Sequence, residues 1–376
     1  MTIVFWISVL GVIYSYLLYP LILSLLPKRG TVSDSAARSL PRVSVIIAAF
    51  NEKAQIREKL QNTLALDYPK DLLQVIVASD ASTDGTDEIV QALSDQGVSL
   101  VRSTSRAGKE HAQTLAIAEA SGEILVFSDV AAQIPKQTLR NLVKDFADER
   151  VGAVSSEDRL ISPTGQIVGE GLYLKYEMWL RRLESRVNTV VGLTGAFFGV
   201  RRHLCDEWDV RTTSDMTAAL DCIRHGYVAI SDPDVVCYYS DIKDERREYG
   251  RKVRSTVRGW TAVFRRREVL NPLVYRLAAF QLWSHKVARW LVPWFLLSLL
   301  VSSMLLWQEH WAYRTLFAAQ LFFYAAALVG LVWRRSRRLA VMRILAYFVM
   351  VNTAIAHATV AGLCGFHFNV WEPSKR

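Results

Sequence analysis

Three apolar runs in the first third of the chain each end at acidic residues. They are VSVIIAAFNE at residues 43–52, VIVASDASTDGT at residues 75–86 and ILVFSDVAA at residues 124–132. Apolar runs of strand length, separated by segments with helical spacing, predict buried parallel strands joined by helices. The carboxyl ends of such strands border the ligand crevice of an open α/β sheet. We therefore expect Glu52, Asp80 and Asp129 around one crevice, suited to an electron-rich ligand held through a metal ion.

Long uncharged segments lie near both ends of the chain. Residues 3–26 carry no charge and are followed by Lys28 and Arg29. A run of this length crosses a hydrocarbon core of about 30 Å, whereas a signal peptide would have a basic start and a small-residue cleavage site. Further segments of this kind are residues 290–307, 315–333 and 344–366. The sequence predicts one span before a polar middle and three spans after it.

Basic residues flank the predicted spans on mutually consistent sides. They are Lys28, Arg29, Lys286, Arg289, Arg334, Arg335, Arg337 and Arg338. Because lysine and arginine are enriched on the cytoplasmic side of membrane spans, the middle domain is expected in the cytoplasm. The predicted location is therefore the cell membrane, with several spans and the polar middle domain in the cytoplasm.

The net charge of +9 is concentrated in residues 243–267. Such a basic stretch suits anionic lipid head groups, a diphosphate or nucleic acid. Its position just before a predicted span argues against nucleic acid, and a solvated helix face remains an alternative. The four cysteines have no CxxC spacing, so they indicate neither a disulfide framework nor a zinc site.

Two strand-to-helix connections carry groups suited to a nucleotide. Asp80 lies where a predicted strand ends, with its carboxylate free to accept hydrogen bonds from a base or ribose. Gly108 and Lys109 open the next helix, where backbone amides and an ammonium group suit a phosphate. The GxxxxGK spacing of a P-loop is absent, and an ordinary surface lysine is the alternative for Lys109.

The order of these motifs resembles that of the membrane-bound family 2 glycosyltransferases, whose relatives include the cellulose, chitin and hyaluronan synthases. The shared features are VSVIIAAFNE, SDASTDGT, GK, an acidic strand end, TGA and RxxR, within residues 43–260. The resemblance implies an α/β GT-A fold, which is Rossmann-like and binds a nucleotide sugar, together with α-helical transmembrane segments. It also implies a UDP-sugar donor, a divalent metal and an inverting single displacement.

The resemblance assigns roles to individual residues on the donor side. Phe50 and Glu52 would line the base and ribose pocket, Asp80 would contact the uracil, and Lys109 would lie near the uracil and the diphosphate. Asp129 would take the first position of the metal-binding DxD motif.

The second position of that motif is Ala131. One protein carboxylate would suffice for Mg²⁺ or Mn²⁺ when the donor phosphates supply further ligands, at lower metal affinity before the donor binds.

The acceptor side is assigned in the same way. Asp215 ends a segment that resembles the TED or DD motif, whose last acid takes the proton of the acceptor hydroxyl. A helix N-cap is the alternative for Asp215, and the two roles are compatible. Thr194, Gly195 and Ala196 resemble the loop that shapes the acceptor end, or form a plain turn between two strands.

Arg251 and Arg254 fall where the synthases carry QxxRW. Arg251 replaces Gln and Ser255 replaces Trp, so only Arg254 keeps its type. A guanidinium is suited to stabilising a departing diphosphate. The two replacements argue against long-chain processive synthesis.

The expected activity is transfer of a hexosyl or N-acetylhexosaminyl group to a growing glycan in cell-surface polysaccharide biosynthesis. The alternatives are a single addition to a lipid-linked acceptor and a non-catalytic nucleotide-sugar-binding scaffold. Expected partners are the donor, a glycan or lipid-linked acceptor and membrane lipids, with further copies or a separate exporter. The expected organisation is an N-terminal span 1–28, linker 29–42, cytoplasmic GT-A domain 43–270, interfacial helix 271–289, spans 290–366 and tail 367–376.

Overall fold

A computed structural model describes residues 1–30, 39–161, 172–240 and 245–365. The described residues form two compact units. An α/β unit draws on Leu26–Lys243 and Arg258–Gln281, and a helical unit draws on Met1–Leu25, Asp244–Val257 and Leu282–His367. The predicted tail and most of the predicted linker lie outside the described residues.

The helices and strands are numbered in chain order. The helices are α1 Thr2–Ile13, α2 Tyr19–Leu25, α3 Ile56–Leu64, α4 Thr86–Gln91, α5 Lys109–Glu119, α6 Thr138–Asp145, α7 Leu172–Val187, α8 Ser214–Arg224, α9 Glu245–Arg265, α10 Pro272–Leu282, α11 Ala288–Leu305, α12 Trp311–Val332 and α13 Ala340–Leu363. The strands are β1 Val43–Ala49, β2 Leu73–Ser79, β3 Val98–Arg102, β4 Ile124–Asp129, β5 Val151–Ile161, β6 Phe197–Arg201 and β7 Val228–Ser240.

The α/β unit is built on one mixed sheet, whose strand order in the described part of the chain is β3-β2-β1-β4-β6-β5-β7. β1 pairs in parallel with β2 and β4, and β2 pairs in parallel with β3. This confirms the parallel strands expected from the three apolar runs. β6 runs antiparallel to both β4 and β5, so the second half of the sheet is mixed.

Both faces of the sheet are covered, which explains why β1 is a continuous apolar run. All seven residues of β1 are buried. Successive side chains of a strand point to opposite faces. Val45 packs in one core with residues of α3 and α6, whereas Ile46 packs in the other with residues of α5 and α8. The central strands therefore hold their carboxyl ends rigidly.

The helical unit contains most of the segments able to cross a membrane. The described residues include four helices long and apolar enough to do so, namely Thr2–Leu25, Pro272–Leu305, Trp311–Val332 and Ala340–Leu363. This confirms the prediction of one candidate span before the polar middle and three after it. Helices of this unit pack through aromatic and hydroxyl contacts. The rings of Phe5 and Tyr313 meet edge-on at 4.7 Å, and Tyr14 Oη lies 2.6 Å from Ser284 Oγ.

Candidate active site

The loops that follow β1 and β2 are hydrogen-bonded to each other. The amide of Asn51 donates to Ser82 Oγ at 3.2 Å, and the amide of Glu52 donates to Thr86 Oγ1 at 2.9 Å. Asn51 has a φ of 53°, in the left-handed region that asparagine tolerates better than most residues. The two carboxyl-end loops thus form one bonded edge, with Glu52 within it.

Asp80 fixes the loop that leads into α5. Its side chain is buried, Oδ1 accepts from the amide of Ala107 at 2.8 Å, and Oδ2 accepts from the amide of Gly108 at 2.9 Å. Gly108 has a φ of 101°, which glycine adopts without strain. The expectation of a free Asp80 carboxylate is therefore wrong, because both oxygens already hold backbone amides. A nucleotide contact would have to use their remaining lone pairs.

Arg106 lies above Phe50 in the same corner. Its guanidinium carbon is 4.0 Å from the centre of the phenyl ring, which is a cation–π contact. Arg106 directly precedes the residues that Asp80 holds. Phe50, Asp80 and Arg106 therefore form one wall of a candidate nucleotide pocket. Arg106 lies two residues before the predicted Gly108 and Lys109 motif, and the motif gave it no role.

Lys109 links this wall to the end of β4. Its Nζ donates to Asp129 Oδ1 at 2.5 Å and reaches the carbonyl oxygen of Gly195 at 3.4 Å, and its side chain is only 9% exposed. Burial lowers the pKa of Lys109, but the charge and hydrogen bond of Asp129, with Glu110 and Asp215 nearby, raise it above its ordinary value. Lys109 is therefore a buried cation and not the surface lysine of the alternative reading.

Asp129 is the candidate metal ligand, and its surroundings fit a metal ion only when substrate phosphates supply further ligands. Its side chain is 32% exposed at the end of β4, and Ala131 contributes no ligand. In the described residues no group of three His, Cys, Asp or Glu side chains is placed to hold a metal ion by itself. Mg²⁺ bound through one carboxylate takes its other ligands from waters and substrate phosphates.

The loop at residues 194–196 joins the metal side to the acceptor side. The amide of Asp129 donates to the carbonyl of Ala196 at 2.9 Å, and a Cβ added to Gly195 would lie 3.5 Å from Asp215 Oδ2. Thr194 is buried, with its hydroxyl 2.7 Å from Ser156 Oγ. Gly195 is thus the partly exposed member of the loop, and its missing side chain leaves space beside Asp215.

Asp215 lies in the first turn of α8. The N-cap of this helix is Thr213, so the N-cap alternative for Asp215 is wrong. Its carboxylate lies near the helix N-terminus, where a negative charge is favoured. The structure therefore brings together Lys109, Asp129, Gly195 and Asp215, which the sequence had taken from four separate motifs.

Lys59 is a buried cation that the sequence did not assign. It has no exposed surface, and its Nζ donates to the carbonyl of Ala132 at 2.6 Å. Burial lowers its pKa to about 8, and Asp129 acts in the opposite direction. Lys59 shares the buried face of α3 with Ile56 and Leu60. This polar residue at an apolar helical position was the signal that could have identified it.

Arg258 is a second residue that the sequence left within a general basic stretch. Its Nη2 lies 2.7 Å from Glu110 Oε2 and donates to the carbonyl of Thr212 at 2.5 Å. Glu110 follows Lys109, and Thr212 precedes the segment of Asp215. Arg258 therefore ties the phosphate-side helix to the loop that carries the candidate base. Only its pairing with Glu110 and Thr212, which are distant in sequence, distinguishes Arg258, and a single sequence does not reveal such pairing.

Arg251 and Arg254 belong to the helical unit, and their role at a diphosphate stays a prediction. The guanidinium of Arg251 makes two hydrogen bonds to the carboxylate of Glu248, at 2.9 and 2.8 Å. Ser255, at the position of the synthase tryptophan, is exposed.

The sequence is similar to known transferases. Residues 44–209 match the family described as Glycosyl transferase family 2. A beta-monoglucosyldiacylglycerol synthase from Synechocystis sp. is 35% identical over 191 residues, which are 48% of this chain and 40% of the synthase. A poly-beta-1,6-N-acetyl-D-glucosamine synthase from Staphylococcus aureus is 24% identical over 244 residues, which are 62% of this chain and 57% of that synthase. The chain spans less than two thirds of the length of either relative.

The fold has a counterpart among solved structures. A mannosyltransferase from Pyrobaculum calidifontis, determined in complex with GDP-Man and Mn²⁺, matches with a TM-score of 0.72 at 27% identity. The match covers 96% of this chain and 98% of the mannosyltransferase. These similarities confirm the predicted GT-A-like fold and the resemblance to family 2 glycosyltransferases.

Proposed function

We propose that this chain, whose residues 44–209 match the family described as Glycosyl transferase family 2, transfers a hexosyl or N-acetylhexosaminyl group from a nucleotide sugar to a glycan. The observation that carries the proposal is the convergence of Lys109, Asp129, Gly195 and Asp215 around the carboxyl end of β4. A buried cation, a partly exposed carboxylate, a space and a second carboxylate are the parts that such a transfer requires.

The donor side takes a nucleoside diphosphate. The wall of Phe50, Asp80 and Arg106 offers a ring, hydrogen-bond acceptors and a cation to a nucleoside. The amides at the start of α5 and the ammonium of Lys109 suit the diphosphate. The resemblance favours a UDP-sugar, whereas the Pyrobaculum mannosyltransferase is solved with GDP-Man, so uracil and guanine donors are the two to compare.

Asp215 acts as the base in the proposed reaction. Its carboxylate takes the proton of the acceptor hydroxyl as that oxygen forms a bond to the anomeric carbon. The bond from the anomeric carbon to the diphosphate breaks on the opposite side, so one displacement inverts the configuration. Lys109 stays positively charged and stabilises the negative charge that develops on the leaving diphosphate, and Arg251 and Arg254 are proposed to assist.

A divalent metal would be held by Asp129 together with the donor. Mg²⁺ or Mn²⁺ bound there would neutralise the charge of the diphosphate. Asp129 would then exchange its contact with Lys109 for the metal, or share the carboxylate between the two cations.

The acceptor is proposed to be a growing glycan for the cell surface. A single addition to a lipid-linked acceptor is the second candidate. The replacement of Gln and Trp in the QxxRW motif by Arg251 and Ser255 favours it. Arg251 is bound by Glu248 and Ser255 is exposed, so the Gln and Trp of the synthases have no equivalent there. In either case the four candidate spans suit a protein of the bacterial inner membrane with its α/β unit in the cytoplasm. Further copies or a separate exporter would complete polymer export.

Transfer by purified full-length protein in lipid nanodiscs tests the proposal. The protein is incubated with radiolabelled UDP- and GDP-sugars and Mn²⁺, and the product is sized. We expect transfer from one donor class, an inverted anomeric configuration by NMR, and loss of turnover with excess chelator. Products carrying exactly one added sugar would select the lipid-linked acceptor. No transfer or donor hydrolysis from any nucleotide sugar would leave the non-catalytic scaffold as the function.

A matched pair of variants tests the base. Asp215→Asn is expected to lower kcat at least about a hundredfold, since general-base catalysis contributes about 10²–10⁴-fold. Asp95→Asn changes an exposed carboxylate of the same unit and should leave turnover unchanged. If Asp215→Asn keeps wild-type turnover while binding nucleotide normally, another group takes the proton.

A further inference from the structure

A cavity of about 290 Å³ opens at the edge of the sheet, beside β7. Its charged lining consists of Arg29, Asp145, Arg182, Arg186 and Asp232. The strand order places β7 three strands from β4, which is about 14 Å at ~4.8 Å per strand. The cavity is therefore separate from the candidate active site, and the proposed transfer does not use it.

The side chain of Arg29 is 19% exposed in this cavity and has no full counter-ion. Its Nη1 is buried and has no hydrogen-bond partner among the described residues. The carboxylate of Asp148 lies 3.9 Å from Nη2, but Arg150 holds that same carboxylate at 2.8 Å. Burial lowers the pKa of Arg29, which Asp148 offsets only in part. A guanidinium with one buried N–H group that lacks an acceptor is suited to an oxyanion.

The acidic lining does not cancel the arginines at neutral pH. Burial, followed by the charge of Asp232, raises the pKa of Asp145 to about 8, and Lys144 and Arg29 act against this rise. Asp145 is therefore mostly protonated at neutral pH. Arg182 is already held by the carboxylate of Glu157 at 2.6 Å. Arg29 and Arg186 are therefore the guanidinium groups that give the lining its affinity for an anion.

The cavity lies within covalent reach of a membrane surface. Arg29 is four residues after Leu25, where the candidate span Thr2–Leu25 ends. Four residues extend at most about 14 Å. The head-group layer of a bilayer is about 5–8 Å thick on each side. The connector is also anchored, because the amide of Arg29 donates to the carbonyl of Arg186 at 2.7 Å, and Arg150 Nη2 donates to the carbonyl of Gly30 at 2.7 Å.

We propose that this cavity binds the phosphate of an anionic phospholipid head group. Soluble phosphate shares the chemistry, but the short connector to the candidate span favours the lipid. Bound lipid would hold the α/β unit at the membrane independently of donor and acceptor, so the proposal does not rest on the proposed function.

Lipid retention tests the proposal directly. Full-length protein in a mild detergent is incubated with equal amounts of phosphatidylglycerol and phosphatidylcholine of the same acyl chains, and retained lipid is measured by native mass spectrometry. The variants are Arg29→Gln and Arg186→Gln. The control is Arg140→Gln, which removes the same charge from an arginine paired with Asp67 on the exposed surface of the same unit.

We expect wild type and Arg140→Gln to prefer phosphatidylglycerol, and each cavity variant to lose about fivefold of that preference. One basic residue near a lipid surface contributes about 1 kcal/mol, which is about fivefold. Arg29→Lys keeps the positive charge but loses the planar guanidinium, so it should retain part of the preference for phosphatidylglycerol. This variant replaces Arg29→Gln if Arg29→Gln does not fold. Wild-type preference in both Arg29 variants would overturn the proposal. Full displacement of the lipid by inorganic phosphate would overturn the lipid as the occupant.

Discussion

Asp80 is expected to act on nucleotide binding by ordering a loop. Each of its oxygens accepts one backbone amide, from Ala107 and Gly108. Asp80→Asn keeps the volume but turns one accepting oxygen into an NH₂ group, so one backbone N–H faces a donor. A hydrogen bond to a charged group contributes about 1.5–3 kcal/mol, and an unsatisfied buried donor costs about 1–3 kcal/mol. We expect a loss of about 2 kcal/mol in binding, or about 30-fold in Kd.

Isothermal titration of the donor's nucleoside diphosphate into full-length protein measures this loss. The control is Asp221→Asn, which also changes a buried carboxylate, paired with Arg224 at 2.8 Å and Arg266 at 2.6 Å. It should lower the melting temperature without changing Kd. A Kd for Asp80→Asn within twofold of wild type, in protein that melts cooperatively, would refute the role of Asp80 in the nucleotide pocket.

Three further predictions concern other parts of the α/β unit. Lys59→Met removes the hydrogen bond to the carbonyl of Ala132 and should lower kcat about tenfold. The melting temperature should hold or rise, because a buried ammonium group is costly to desolvate. A kcat equal to that of wild type would contradict this prediction. The pKa of Asp145 is raised from 3.8 to about 8, so the folded state binds more protons between these values and its free energy of unfolding falls as pH rises through that window. Asp145→Asn should therefore raise the melting temperature more at pH ~9 than at pH ~5, and a pH-independent difference would count against it. Gly195→Ala places a methyl group 3.5 Å from Asp215 Oδ2. We expect normal folding and normal donor hydrolysis, with a raised KM for the acceptor. An unchanged acceptor KM would exclude this space as the acceptor path.

The sequence predicted the parallel strands and the spans because these leave local signals, and the proposed site residues were taken from local motifs in the same way. The apolar run of β1 is local, and so are Asp80, which follows β2, and Asp129, which ends β4. The partners of those acids are not local. The amides that bind Asp80 come from 27 and 28 positions downstream. The antiparallel course of β6 likewise depends on pairing with strands distant in sequence, which no local pattern encodes.

Lys59 and Arg258 show a second limit. Lys59 occupies a position that helical spacing assigns to the core, so hydrophobic pattern alone treats it as an interruption. Arg258 was one of many basic residues in residues 243–267, and the sequence pattern could not distinguish its role from theirs. Its partners Glu110 and Thr212 lie in two other segments of the unit. Local rules thus predict where a charge lies in the chain, whereas the opposing group requires the folded structure.

The strand order has a consequence for biosynthesis. β1 is made first, yet it is a central strand that needs β4 on one side and β2 on the other. A growing chain that has produced only β1 and β2 therefore exposes an apolar edge of β1 while the N-terminal helix is already available for membrane insertion. Ribosome-bound chains that stop before β4 should be sensitive to protease, and protection should begin once residues 124–129 have left the ribosome.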